Sequence, residues 1–176
     1  MNRERLERLL PGYGEPRTLR PKTKLIFPGH TEKQFFFILS GHLQQYYSIK
    51  TKKHVFRFIG PNDFCESITL LRGEPNTIET IETVTEVHLL QYDYTRVKEQ
   101  METNLELSNV FRKLFEDFLF YQERRIQKFL SLSPKERYLD FVREEHYAFG
   151  TFPDSAIASY LGMTKETLSR FRNRKS

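Results

Sequence analysis

The chain has 176 residues, 38% of them hydrophobic and 29% charged, with 16 Phe and 9 Tyr. That is enough apolar and aromatic matter for a packed core in one ordinary domain or two small ones, and it excludes disorder as the main state. No run approaches the roughly 18 apolar residues of a membrane span. Residues 1–6 alternate charges instead of forming an apolar leader, and the lone Cys65 excludes an internal disulfide framework and cysteine-based zinc or iron–sulfur sites. A cytoplasmic protein is expected.

The formal net charge is +5, and residues 164–176 hold +4 of it. A basic terminus of this kind is either a solvated tail or a surface for phosphates, and the segment before it decides which.

From Arg17 to Leu90 the pattern predicts short strands separated by turns. Lys24–Phe27 runs into Pro28-Gly29, Phe35–Leu39 is a continuous apolar run broken by Ser40-Gly41, and Leu43–Ile49 follows. Lys50–Lys53 reads as a hairpin tip, Val55–Ile59 alternates around Arg57, and Gly60-Pro61-Asn62-Asp63 is a strong turn. Between Thr77 and Val87, eight of eleven residues are Thr, Ile or Val, which favours one pleated strand, with Glu79, Glu82 and Glu86 exposed along it. Many short strands at regular intervals imply an antiparallel roll, barrel or sandwich.

Asp93 to Leu130 contains no Gly or Pro and reads as helix, split near Asn104. Glu106–Leu130 would extend about 37 Å. Leu107, Phe111, Leu114, Phe118 and Tyr121 follow the 4-3-4-3 spacing of a paired-helix seam, and Phe115, Leu119 and Phe120 add apolar surface outside it. A homodimer is the expected use of that surface, with a buried helix in a monomer as the bland alternative. Ser133-Pro134-Lys135-Glu136 forms a capping box, which makes Ser131–Ser133 the expected hinge. The next helix should turn Tyr138, Leu139, Phe141 and Val142 inward and end before Gly150, and Asp154 should cap the helix after that.

Asp154–Arg172 reads as two short helices around a tight turn. Ile157, Ala158 and Leu161 bury the first, Gly162 supplies a left-handed residue, Met163 packs below the turn, and Leu168 and Phe171 bury the second. Thr164 can cap the second helix. This is the constraint set of a helix-turn-helix, whose second helix enters the DNA major groove. On its outer face, Lys165, Glu166 and Arg170 suit base edges. Thr164, Thr167 and Ser169 suit phosphate oxygens, and Arg172, Arg174 and Lys175 suit backbone electrostatics.

The stretch Pro153-Asp154-Ser155-Ala156-Ile157-Ala158-Ser159-Tyr160-Leu161-Gly162-Met163-Thr164-Lys165-Glu166-Thr167-Leu168-Ser169-Arg170 closely resembles the DNA-reading end of the Crp/Fnr family of bacterial transcription regulators, above all its short Bacteroidetes-type members. The resemblance implies an α+β chain: a cyclic-nucleotide-binding-like sensor β-roll over 1–92, dimerisation helices over 93–130, and a winged helix-turn-helix over 131–176. It implies a homodimer on double-stranded palindromic DNA, with RNA polymerase as a candidate further partner, and no membrane partner. Family members that bind a cyclic nucleotide hold its phosphate with a Gly-Glu pair and, about ten residues on, an Arg followed by Ser or Thr. Here Phe64-Cys65-Glu66-Ser67 keeps the Glu but not the Gly, and Gly73-Glu74-Pro75-Asn76-Thr77 lacks the Arg. Glu66, Ser67, Asn76 and Thr77 are therefore candidate pocket residues, no cofactor is expected, and a cyclic nucleotide is disfavoured because its phosphate loses a charge-assisted partner. The effector is left open.

Other chemistry is thin. His30, His42, His54, His88 and His146 lack metal-ligand spacing, and no nucleophile elbow, Gly-Lys phosphate loop or His-Glu-x-x-His motif occurs. No catalytic pair can be placed, so no enzyme is expected. The rival from another class is a protein-interaction or small-ligand dimer module without sequence-specific DNA binding.

Overall fold

The computed structural model describes residues 3–74 and 76–173. In chain order the elements are α1 (Arg3–Leu9), β1 (Glu15–Leu19), β2 (Lys24–Ile26), β3 (Gln34–Ser40), β4 (Leu43–Ile49), β5 (Lys52–Ile59), β6 (Phe64–Glu66), α2 (Ile68–Leu71), β7 (Glu79–Thr83) and β8 (Val87–Asp93). Then come α3 (Tyr94–Thr103), α4 (Leu105–Ser131), α5 (Pro134–Glu144), a 3-10 turn (His146–Ala148), α6 (Asp154–Tyr160) and α7 (Lys165–Asn173). Two compact units divide between Leu107 and Ser108, inside α4. The expected boundaries lie at residues 92 and 130. Among the described residues no helix is long and apolar enough to cross a membrane.

The N-terminal unit is a β-roll of two four-stranded antiparallel sheets, ordered β1-β8-β3-β6 and β2-β7-β4-β5. The continuous apolar run of β3 is buried on both faces, as such runs require. Phe36 and Ile38 enter the core with Ile26, Leu43, Ile59, Ile81 and Leu89. The alternate residues face the other way, where Phe35 stacks on Tyr92 at 4.8 Å and Phe37 meets Phe64 at 5.0 Å. The edge strand β1 and the helix α1 have no clear sequence pattern. Glu15-Pro16-Arg17-Thr18 is exposed, and its Pro is tolerated because β1 pairs only with β8.

The single strand expected over Thr77–Val87 is two strands. Val84 and Thr85 turn their N–H groups to the His42 carbonyl, ending β7. The corner closes because Gly41 (φ 87°) has no Cβ, which would stand 2.1 Å from the Glu86 carbonyl oxygen. The expected exposure of the three glutamates also needs correction. β7 lies between β2 and β4 with every residue buried, so Glu79 and Glu82 are interior and only Glu86, in the turn, is exposed. Glu82 accepts from Lys53 (2.9 Å), the Tyr46 hydroxyl (3.0 Å) and Gln44 (3.1 Å). Burial alone would raise its carboxyl, but these donors outweigh it and hold it below the usual range.

At residue 104 the helix breaks as the sequence suggests. Asn104 is extended and its Oδ1 accepts the Leu107 N–H at 3.0 Å. The 27-residue α4 is about 40 Å long. Of the expected seam, Leu107 and Phe111 are buried in the single chain, and Tyr121 is hydrogen-bonded to Tyr160. The apolar row left open is Leu119 (69% exposed), Ile126 (59%) and Leu130 (84%), spaced seven and four residues apart.

The joint from α4 to α5 is only Leu132-Ser133. Both hydrogen bonds of the capping box form, Ser133 N–H to Glu136 and Glu136 N–H to the Ser133 hydroxyl. Arg137 donates to the Leu132 carbonyl at 2.7 Å and Lys128 pairs with Asp140 at 2.7 Å, so side chains span the joint. Tyr138 and Phe141 are buried, whereas Leu139, expected inward, is 45% exposed on the opposite side of α5. No wing strand exists among the described residues. The nine residues between α5 and α6 are taken up by the 3-10 turn, Gly150 and a single Phe149–Phe152 bridge, too few for a strand pair.

Candidate nucleic-acid interface

Helices α6 and α7 meet at a tight corner. Ala156, Ile157, Ala158 and Tyr160 bury one face of α6, and Leu161 ends the helix in a buried αR conformation. Gly162 follows at φ 65°, and a Cβ there would stand 2.5 Å from the Phe129 ring. The Met163 N–H returns to the Ala158 carbonyl at 3.0 Å and closes the corner, with Ala158 buried. Thr164 caps α7: its hydroxyl accepts the Thr167 N–H at 3.2 Å. Leu168 is buried and Phe171 packs on Tyr138 with ring centroids 5.6 Å apart, which fixes the face α7 turns inward.

That leaves Lys165, Glu166, Ser169 and Arg170 exposed on the outer face. Arg170 donates to the Thr167 hydroxyl at 3.1 Å, and Thr167 lies 3.1 Å from the Thr164 hydroxyl, so these three residues form one local chain. Hydrogen bonds to its own backbone N–H and to Thr164, with Lys165 and Arg170 nearby, hold the Glu166 carboxyl below the usual range. Two residues differ from expectation. Asp154 does not cap α6; it is the first helical residue, and its carboxylate takes both guanidinium nitrogens of Arg172 at 2.6 and 3.1 Å. Arg172 also lies 5.2 Å from the Phe149 ring centroid, so it braces α7 against α6. Arg174 and Lys175 lie outside the described residues.

In the roll, Glu66, Ser67 and Thr77 come together, buried, and Asn76 stays exposed. Ser67 caps α2 and donates to Thr77 at 3.2 Å; Thr77 in turn donates to Glu79 at 3.4 Å. A residue outside the expected set completes the group. Arg57 enters from β5 on the other sheet, donates to the Phe64 carbonyl, and reaches Glu66 at 3.4 Å. Gln45 donates to Glu79 at 2.7 Å and to the Glu66 carbonyl at 3.2 Å. Burial pushes the Glu66 and Asp63 carboxyls up, and Arg57 offsets this only in part. Burial likewise pushes the Cys65 thiol well above its ordinary value, as in a packed rather than a reactive cysteine. The signal for Arg57 was its position two residues before Ile59, on the same face of the strand.

The cyclic nucleotide-binding domain model matches residues 16–104, just over half of the chain. No curated protein matches the chain by sequence. Among solved structures, FixK2 from Bradyrhizobium japonicum is similar with a TM-score of 0.80 at 13% identity, covering 92% of this chain and 83% of its own. CLP, the c-di-GMP responsive global regulator of Xanthomonas campestris, matches with a TM-score of 0.76 at 17% identity, over 98% and 91%. A regulator assigned to the Crp/Fnr family from Eubacterium rectale matches with a TM-score of 0.77 at 18% identity, over 99% and 83%. With its two-sheet roll, its long helix and its α6–α7 corner, the chain belongs to the cyclic nucleotide-binding domain family and carries that domain in the fold of the Crp/Fnr regulators.

Proposed function

We propose that the chain is a sequence-specific DNA-binding transcription regulator that acts as a homodimer on a palindromic operator. The observation that carries this reading is the outer face of α7: Lys165, Glu166, Ser169 and Arg170 stand exposed on a capped helix that Leu168 and Phe171 hold from behind. Lys165, Glu166 and Arg170 read base edges; Thr164, Thr167, Ser169 and Arg174 meet phosphates; Arg172 acts mainly through its brace to Asp154. Two such helices enter successive major grooves about 34 Å apart. The open row of Leu119, Ile126 and Leu130 supports pairing of two α4 helices.

The roll reads as a sensor that does not hold a cyclic nucleotide in the family's manner. A phosphate would meet Asp63, Glu66 and Glu79, and the arginine beside them, Arg57, is already held by Glu66 and the Phe64 carbonyl. The residues present do not fit that anion.

Selection of bound sequences from random DNA tests the central reading, and an enriched palindrome is the expected outcome. Arg170→Ala should then cost about 1–3 kcal/mol on the selected site and relax one base position. Absence of enrichment would favour the protein-interaction module instead.

A further inference from the structure

The C-terminal unit contains a cavity of about 450 Å³ between the end of α4, α5 and the Tyr160–Leu161 corner. That volume lies within the range of small-molecule sites. Aromatic rings supply much of its lining: Phe120, Tyr121, Phe129, Phe141 and Tyr160. Along α4 the cavity residues Phe120, Arg124 and Lys128 recur every four positions, about 100–200° around the helix from the Leu119–Ile126 row. Cavity and open row are thus separate features of one helix.

The charges at the cavity decide what it can hold. Lys128 is bridged by Asp140 and Glu144. Glu145 accepts the Tyr160 hydroxyl proton at 3.1 Å. Arg125 donates to the Tyr160 carbonyl at 2.8 Å and lies 4.0 Å from the centre of that ring, and Arg137 donates to the Leu161 carbonyl at 3.0 Å. Each carboxylate of the lining therefore already has a donor. Arg124 differs: its guanidinium lies 5.9 Å from the Phe120 ring centroid and has no carboxylate within ion-pair reach among the described residues.

We propose that this cavity binds a small planar aromatic carboxylate, its ring among Phe120, Phe129 and Tyr160 and its carboxylate on Arg124. Flat rings offset-stack on the lining, and one planar guanidinium matches one carboxylate in a bidentate fork. A phosphate dianion is a poorer fit, because Glu144 and Glu145 stand in the same wall. The proposal concerns binding alone and holds whether or not α7 reads DNA.

The test titrates 2-naphthoate into the full chain by calorimetry, with 2-naphthalenemethanol and 2-naphthylmethylamine as neutral and cationic companions. Saturable naphthoate binding with a Kd below about 1 mM is expected. Arg124→Gln should weaken naphthoate about tenfold and leave the alcohol unchanged, since it removes only the charge-assisted pair. Lys113→Gln, on an exposed stretch of α4 where Lys113 pairs with Asp117, should change neither. Equal naphthoate affinity in the parent and Arg124→Gln, tighter binding of the alcohol or amine, or no saturation up to about 10 mM would each overturn the proposal.

Discussion

Arg57 shares the inner face of β5 with Ile59, opposite Gln45 and Leu43 of β4, and both are buried, Arg57 to 9% exposure. Its guanidinium reaches the buried Glu66 at 3.4 Å, with Asp63 at the adjoining turn and with Gln45 and the buried Glu79 beside Glu66. Removing one partner of a buried pair typically costs about 3–5 kcal/mol, because the other charge is left without compensation. Arg57→Met should therefore lower the thermal midpoint of the roll, and by more at pH 8 than at pH 5. The sign follows from Glu66. Its carboxyl is raised by burial in the folded roll, so stability falls as pH climbs from the usual carboxylate range through the raised value. Loss of Arg57 raises that value further, and at low pH the retained proton removes much of the penalty. Melts of both proteins at the two pH values check this; an equal loss at each pH would mean that Arg57 acts by packing alone. Strand alternation placed Arg57 on the inner face, but its partner Glu66 belongs to the other sheet, a pairing that sequence spacing does not encode.

Elements were most legible where a signal lies within a few residues. The α5 capping box is one example: Ser133, Pro134 and Glu136 specify their own hydrogen bonds, and these form. Ser133→Ala should destabilise the C-terminal unit by about 1 kcal/mol, while Ser133→Gly should cost only a few tenths, as read from urea midpoints at constant slope. Similar losses in the two variants would assign Ser133 a contact other than the cap. Asp154 shows the opposite outcome. It stands where a cap is expected, yet Arg172, eighteen residues on, draws its carboxylate across the corner. In the same way, β-branched residues continue through Val84 and Thr85, but the chain turns there because the His42 carbonyl and the space at Gly41 lie within reach.

For the whole molecule the decisive surface is α4. The 4-3-4-3 spacing identified an amphipathic helix, but not which apolar line would stay open, because Leu107 and Phe111 are covered within one chain and Tyr121 is engaged by Tyr160. The line that remains runs through Leu119, Ile126 and Leu130. A glutamate in a desolvated helix pair cannot keep its charge hydrated. If two chains pair through α4 as proposed, Ile126→Glu should leave a monomer in sedimentation velocity and abolish tight binding to a two-half-site operator while sparing the circular-dichroism spectrum. A variant that still sediments as a dimer would move the interface off this row.

Strand and helix periods, the α5 cap, the Gly162 corner and the outward set on α7 depend on neighbours a few positions apart, so residue order alone decides them. The cross-sheet contact of Arg57 with Glu66, the burial of Glu79 and Glu82, the Asp154–Arg172 brace and the uncommitted Arg124 beside an aromatic cavity join segments that become neighbours only after the chain has folded. Topology and packing select among the partners those side chains could take, and no local pattern carries that choice.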